Sequence, residues 1–128
     1  MANVIDATPS RYFEVYASAA RTTTPDTMEY ELPSGVQAGH FVLDVTAVAS
    51  TPSLVFKVEG VDRVSGKVYS ILTGAAVATA VTTVYRVGPG LTAATNLVAN
   101  DYLPPYIRFT VTHGNANSAT YTLSGSVA

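Results

Sequence analysis

Apolar and polar residues alternate along most of this chain with a period of two, the spacing of a strand that buries one face. The pattern is cleanest in the middle. Over 40–48, Phe41, Leu43, Val45 and Ala47 point one way while Asp44 and Thr46 point the other. Leu54, Phe56 and Val58 share a face over 54–60, with Lys57 and Glu59 on its reverse. Asp62 to Lys67 reads as a hairpin tip in which Gly66 takes a positive φ, and Val68 to Leu72 returns antiparallel. Further strands are predicted over 12–18 (Phe13, Val15 and Ala17 inward), 79–87, 106–112 (Ile107, Phe109 and Val111 inward) and 119–127, with a short one at 28–32.

The connections carry turn chemistry. Ser50-Thr51-Pro52-Ser53, Gly88-Pro89-Gly90 and the polar run His113 to Ser118 each break the alternation. Leu91 to Asp101 reads as loop or a single helical turn, and Leu103-Pro104-Pro105 requires extended backbone. Seven or eight short strands with turn signals every 8–12 residues predict an all-β fold, an antiparallel β-sandwich or jelly roll. Residues 12–128 form this single domain. Residues 1–11 form an N-terminal arm or edge segment, in which Val4 and Ile5 lie on a partner or the terminus frays.

Composition supports strands and removes several functions. The chain has 128 residues, and only 12% are charged against about 25% in ordinary soluble domains. Thr, Ser and Ala stand in their place, and β-branched Val and Thr suit pleated surfaces. A net charge of −2 with scattered Lys and Arg argues against a nucleic-acid partner, which needs clustered cations. No apolar run approaches the length of a membrane span, so no membrane partner is expected. The first residues lack the basic and apolar regions of a signal peptide, which predicts synthesis in a cytoplasm. The chain has no cysteine, hence neither disulfides nor thiolate metal sites.

Candidate chemistry is sparse, and the expectation is a protein without catalytic, cofactor-binding or metal-binding residues. His40 and His113 stand at separate strand ends, outside any zinc-site spacing. Asp44, Glu59, Asp62 and Asp101 could bind calcium only if loops gathered them, since they form no D-x-D-x-D-G loop. No G-x-S-x-G elbow occurs. Gly88-Pro89-Gly90 is poorly suited to cradle phosphate, because proline removes a donor and no helix follows. The eight tyrosines either cover core edges and interfaces or form a sugar-stacking platform. Strand faces rich in Thr, Ser and Ala are weakly guarded by charge, which suggests that neighbours cover some edges.

The runs Phe41–Val48, Thr51–Gly60, Val64–Leu72, Arg86–Ala94, Val98–Pro104 and Arg108–His113 resemble a family of small tailed-phage and prophage proteins. The likeness covers about the last two-thirds of the chain and is a pattern of strands and turns without a catalytic signature. It implies a non-enzymatic structural protein of the virion, foremost a capsid decoration or cementing protein bound to the major capsid protein as a homo-oligomer. Alternatives are a neck, tail or fibre-base protein, or a receptor- or carbohydrate-binding module displayed on the particle. The last of these predicts tyrosines and polar groups gathered on one concave face.

Overall fold

The computed structural model describes residues 3–5 and 11–128. Regular structure in these residues is all strand: β1 (Asn3–Val4), β2 (Tyr12–Arg21), β3 (Met28–Glu31), β4 (Gly39–Val48), β5 (Leu54–Val61), β6 (Val68–Thr73), β7 (Thr82–Val87), β8 (Val98–Ala99), β9 (Tyr106–His113) and β10 (Ala119–Val127). They build two sheets, ordered β1-β3-β9-β5-β6 and β2-β10-β4-β7-β8, here called sheets A and B. Eight of the ten strands correspond to segments read from the alternation. The two-residue strands β1 and β8 are additions, each paired in parallel to an edge.

Without those two, the chain is one long antiparallel ribbon. Strand β2 pairs with β10, β3 with β9, β4 with β7, and β5 with β6. Curling the ribbon on itself adds the β4–β10 and β5–β9 pairings and leaves four long strands in each layer. This is the jelly roll. Every connection between long strands except the β5–β6 hairpin crosses from one sheet to the other.

The core lies between the layers. All nine residues expected inside (Phe41, Leu43, Val45, Leu54, Phe56, Val58, Ile107, Phe109 and Val111) are buried. Aromatic rings dominate it: Phe13–Phe109, Phe109–Phe41, Phe41–Phe56 and Phe56–Tyr85 meet at centroid distances of 5.8, 4.9, 6.1 and 4.2 Å. A glycine makes room for two of these rings. A Cβ at Gly125 would lie 2.7 Å from Phe13 Cζ and 2.9 Å from Phe41 Cδ1.

Three expectations are corrected. On β2, Tyr16 is buried and Ala17 exposed, because the β2–β10 register shifts on both sides of Leu123 and the bulged residues reverse the phase. On β4, Ala47 is exposed, because Thr120 pairs with Ala47 while Tyr121 pairs with Val45, skipping Thr46. Residues 79–81 precede β7 instead of belonging to it: the segment from Gly74 to Val81 carries the chain from sheet A to sheet B, across the roughly 10 Å that separates packed sheets. Over 91–101, read as loop or a single helical turn, the chain makes one hydrogen-bonded turn at Thr95–Leu97, with the Leu97 and Val98 amides both donating to the Ala94 carbonyl, and β8 follows it. Of the N-terminal segment, Asn3 and Val4 pair with Tyr30 and Glu31, and Ile5 is buried. Residues 1–2 and 6–10 of the expected arm lie outside the described residues.

Truncating Phe56 or Phe109 to Ala should cost on the order of 3–5 kcal/mol in denaturant unfolding. A loss below 1 kcal/mol would mean the ring is not enclosed by both sheets. Gly125→Ala should destabilise by about 1–3 kcal/mol through overpacking, although alanine is ordinarily no worse than glycine in a strand. An unchanged or raised denaturation midpoint would show that the two rings yield freely.

Candidate functional site

The two ends of the sandwich differ in chemistry. At one end β9 finishes at His113 beside Tyr121 of β10, and at the other β9 begins at Tyr106. The first end holds the main polar cluster. Arg21, last residue of β2, donates to the carbonyl oxygens of Ala17 (2.6 Å), Ala19 (3.2 Å) and Tyr121 (3.0 Å). Its guanidinium carbon lies 4.8 Å from the Tyr121 ring centroid and 5.6 Å from that of Tyr16. The arginine fork thus caps three carbonyls at this end of the β2–β10 pair, that of Ala17 lying in the bulged stretch between Ala19 and Tyr16.

Around Arg21 the titratable groups are shifted by burial. Burial pushes the Tyr16 hydroxyl up to about 12, with the neighbouring Tyr121 adding to the rise. Tyr121 is likewise raised to about 12 by burial, which Arg21 partly opposes. Tyr16 Oη donates to the Asp26 carbonyl at 2.6 Å, and His113 Nε2 and Tyr121 Oη share a hydrogen bond of 2.8 Å. His113 Nδ1 is buried without a protein partner. Burial first, and the Arg21 charge second, hold His113 below its ordinary pKa. Both tyrosines thus keep their protons at neutral pH, and the arginine's Nη1 and Nη2 groups donate to backbone. The cluster joins strand ends and presents no activated nucleophile.

The other residues weighed from sequence are dispersed. His40 is exposed on β4 opposite Ser126, five residues along β10 from Tyr121, or about 17 Å of strand. Asp44 accepts from Thr82 Oγ1 at 2.8 Å, and Glu59 forms an ion pair with Arg108 at 3.2 Å. Asp62 holds the β5–β6 tip, accepting from Val64 N and Ser65 Oγ. Asp101 accepts from the Tyr102 amide. Among the described residues, no three His, Asp or Glu side chains gather in a way that could hold a metal ion. Gly88-Pro89-Gly90 is a turn, with Gly90 at φ +83° and its amide donating to Asn100 Oδ1. Of the tyrosines, Tyr16, Tyr30, Tyr85 and Tyr121 are core residues, while Tyr69, Tyr102 and Tyr106 converge at the far end of the sandwich.

Beside the arginine cluster, the outer surface of sheet B is nearly free of charge. Ala19 and Val48, which pair with the buried Tyr121 and Ala119, turn to the inner side, but Ala17, Ser18 and Ala20 of β2 and Thr46 and Ala47 of β4 are exposed on this outer face. Register makes them one patch: Thr120 of β10 pairs with Ala20 on one side and Ala47 on the other. Strand β2 is also the free edge of this sheet. The alternation hid the patch, because the bulges that turn Ala17 and Ala47 outward leave no mark in the hydrophobic pattern.

The His113 shift has a definite sign. An unfolded histidine titrates near 6.5 and the folded one lower, so the unfolded chain binds the proton more readily. Stability present above about pH 6.5 is therefore lost as pH falls through that value toward the folded pKa. Denaturation midpoints measured across this window should drop in the wild type and drop less in His113→Gln. Equal slopes in the two proteins would place the histidine in an ordinary aqueous setting.

No family model and no curated protein matches this chain. Among solved structures, a chain from the structure of infectious bursal disease virus Gt strain aligns with 12% identity and a TM-score of 0.31. The alignment covers 91% of this chain but only 27% of that one, so this chain spans about a quarter of its length.

Proposed function

We propose that this chain is a non-enzymatic structural subunit of a virus particle, specifically a decoration or cementing protein that binds the major capsid protein of a tailed-phage head. The observation that carries the reading is the uncharged patch on sheet B, exposed on the free-edge side of the layer. Interface cores are depleted in charge, and isolated sheet proteins ordinarily guard an edge with Lys or Pro. Ala17 to Ala20 contain neither. Small side chains let a partner approach the backbone closely, and Arg21 already donates to the Ala17 and Ala19 carbonyls.

The jelly roll suits such a part. It is a compact two-layer fold, and it recurs in viral capsid domains. Fold alone assigns no role, so the weight rests on the patch and on the resemblance of the strand pattern to tailed-phage proteins. Repeated attachment at equivalent lattice points supplies avidity without a tight single contact, and copies grouped around a local symmetry axis would form a homo-oligomer.

Cryo-electron microscopy of the purified particle tests this directly. Hundreds of copies on the capsid lattice, with sheet B turned toward the shell, are expected. A few copies at the neck, tail or a fibre base would overturn the decoration role. The double variant Ala20→Lys/Ala47→Lys changes only exposed positions on either side of Thr120 and should fold normally yet fail to load onto particles. Full loading would remove this face from the interface.

A further inference from the structure

At the end of the sandwich opposite the Arg21 cluster, the β5–β6 tip and the Tyr102–Tyr106 segment enclose an open cleft of about 370 Å³. We propose that this cleft binds a neutral sugar, the terminal one or two rings of a glycan. Tyr69, Tyr102 and Tyr106 line it together with Pro104 and Arg63. Tyr69 and Tyr102 are 46% and 58% exposed, a large aromatic surface left in contact with water.

Two of the three rings, Tyr69 and Tyr106, are held in place before any ligand arrives. Tyr69 pairs across the hairpin with Gly60, and a Cβ there would come within 2.3 Å of Tyr69 Cζ, so the ring lies over bare backbone. Tyr106 is fixed at its hydroxyl, which donates to Glu31 Oε2 at 3.1 Å, and Arg63 stacks over its ring at 4.1 Å. The Asp62 carboxylate is tied into the tip by Val64 N at 3.1 Å and Ser65 Oγ at 2.7 Å. These bonds hold its pKa below the usual carboxylate range and keep it ionised as an acceptor. Fixed aromatic side chains lose little conformational freedom on binding.

The class of ligand follows from the arrangement of charge. The two charged residues that line the cleft, Asp62 and Arg63, balance each other, and Asp101 lies near Tyr69. The cleft holds no cluster of cations of the kind that selects a phosphate or an acidic sugar. A neutral pyranose fits: its C–H face packs on a tyrosine ring, and its hydroxyls donate to carboxylates and accept from the guanidinium. Arg63 has no carboxylate partner among the described residues, so its remaining donors are available. A folded protein partner needs an interface well beyond this cleft, about 800 Å² on each side. On the reading proposed above, docking through the uncharged end of sheet B would turn this cleft outward. Sugar binding by the isolated chain is independent of that reading.

The test is a two-dimensional ¹H–¹⁵N NMR titration of the full chain with glucose, galactose, mannose, N-acetylglucosamine and lactose, each taken to its solubility limit. At least one sugar should shift amides confined to 61–69 and 101–106. Tyr69→Ala and Tyr102→Ala should each weaken binding about tenfold while the remaining spectrum stays folded. Tyr102→Phe, which keeps the ring, should retain most of the affinity. No shift with any of the sugars overturns the proposal, as does binding that survives both alanine variants. Shifts with a polyproline peptide and none with sugars would reassign the cleft to peptide recognition.

Discussion

Five aromatic rings, Phe13, Phe109, Phe41, Phe56 and Tyr85, pass in contact through the core and come alternately from sheet B and sheet A. With no disulfide and no helix in the described residues, this run is what fixes one layer against the other. It sets the sheet spacing, and it requires bare backbone where rings meet a strand, as at Gly125. It also frees the outer faces from any duty in the core. A jelly roll whose cohesion is concentrated inside can carry Ala, Ser and Thr outside without losing its fold.

That freedom is used differently at the two ends. Near His113, polar groups turn inward onto backbone carbonyls and the surface beside them is nearly uncharged. Near Tyr106, aromatic rings remain in water and the polar groups face outward around them. One end is suited to dry contact with protein, the other to a small hydroxylated ligand. Both are supported by the same strands: β9 and β10 reach the first end, and β5, β6 and β9 the second.

Much of this was legible in the chain. The alternation located eight strands, the Gly66 hairpin and all nine named core residues, because each depends on local period and turn chemistry. It failed where a bulge changed the phase. Alanine is too weakly apolar to reveal which way Ala17 and Ala47 point, and Tyr16 is compatible with either face. Strand order was beyond reach, since pairings such as β2 with β10 join residues about a hundred positions apart. The tyrosine cleft was only half readable. The number of tyrosines suggested a platform, but Tyr69 and Tyr102 meet only through the jelly-roll winding.

That winding also governs when the protein can fold. Strand β10 lies in the interior of sheet B, between β2 and β4. Until residues 119–127 have left the ribosome, neither neighbour has its main partner, and Phe41 and Phe13 lack the Gly125 backbone they pack on. Sheet B therefore closes only once β10 has emerged, and until then the nascent chain carries open, sparsely charged strands. The low charge that suits a docking face thus leaves the unfinished protein exposed to self-association, so expression should be more sensitive to temperature and synthesis rate than the stability of the folded form would indicate.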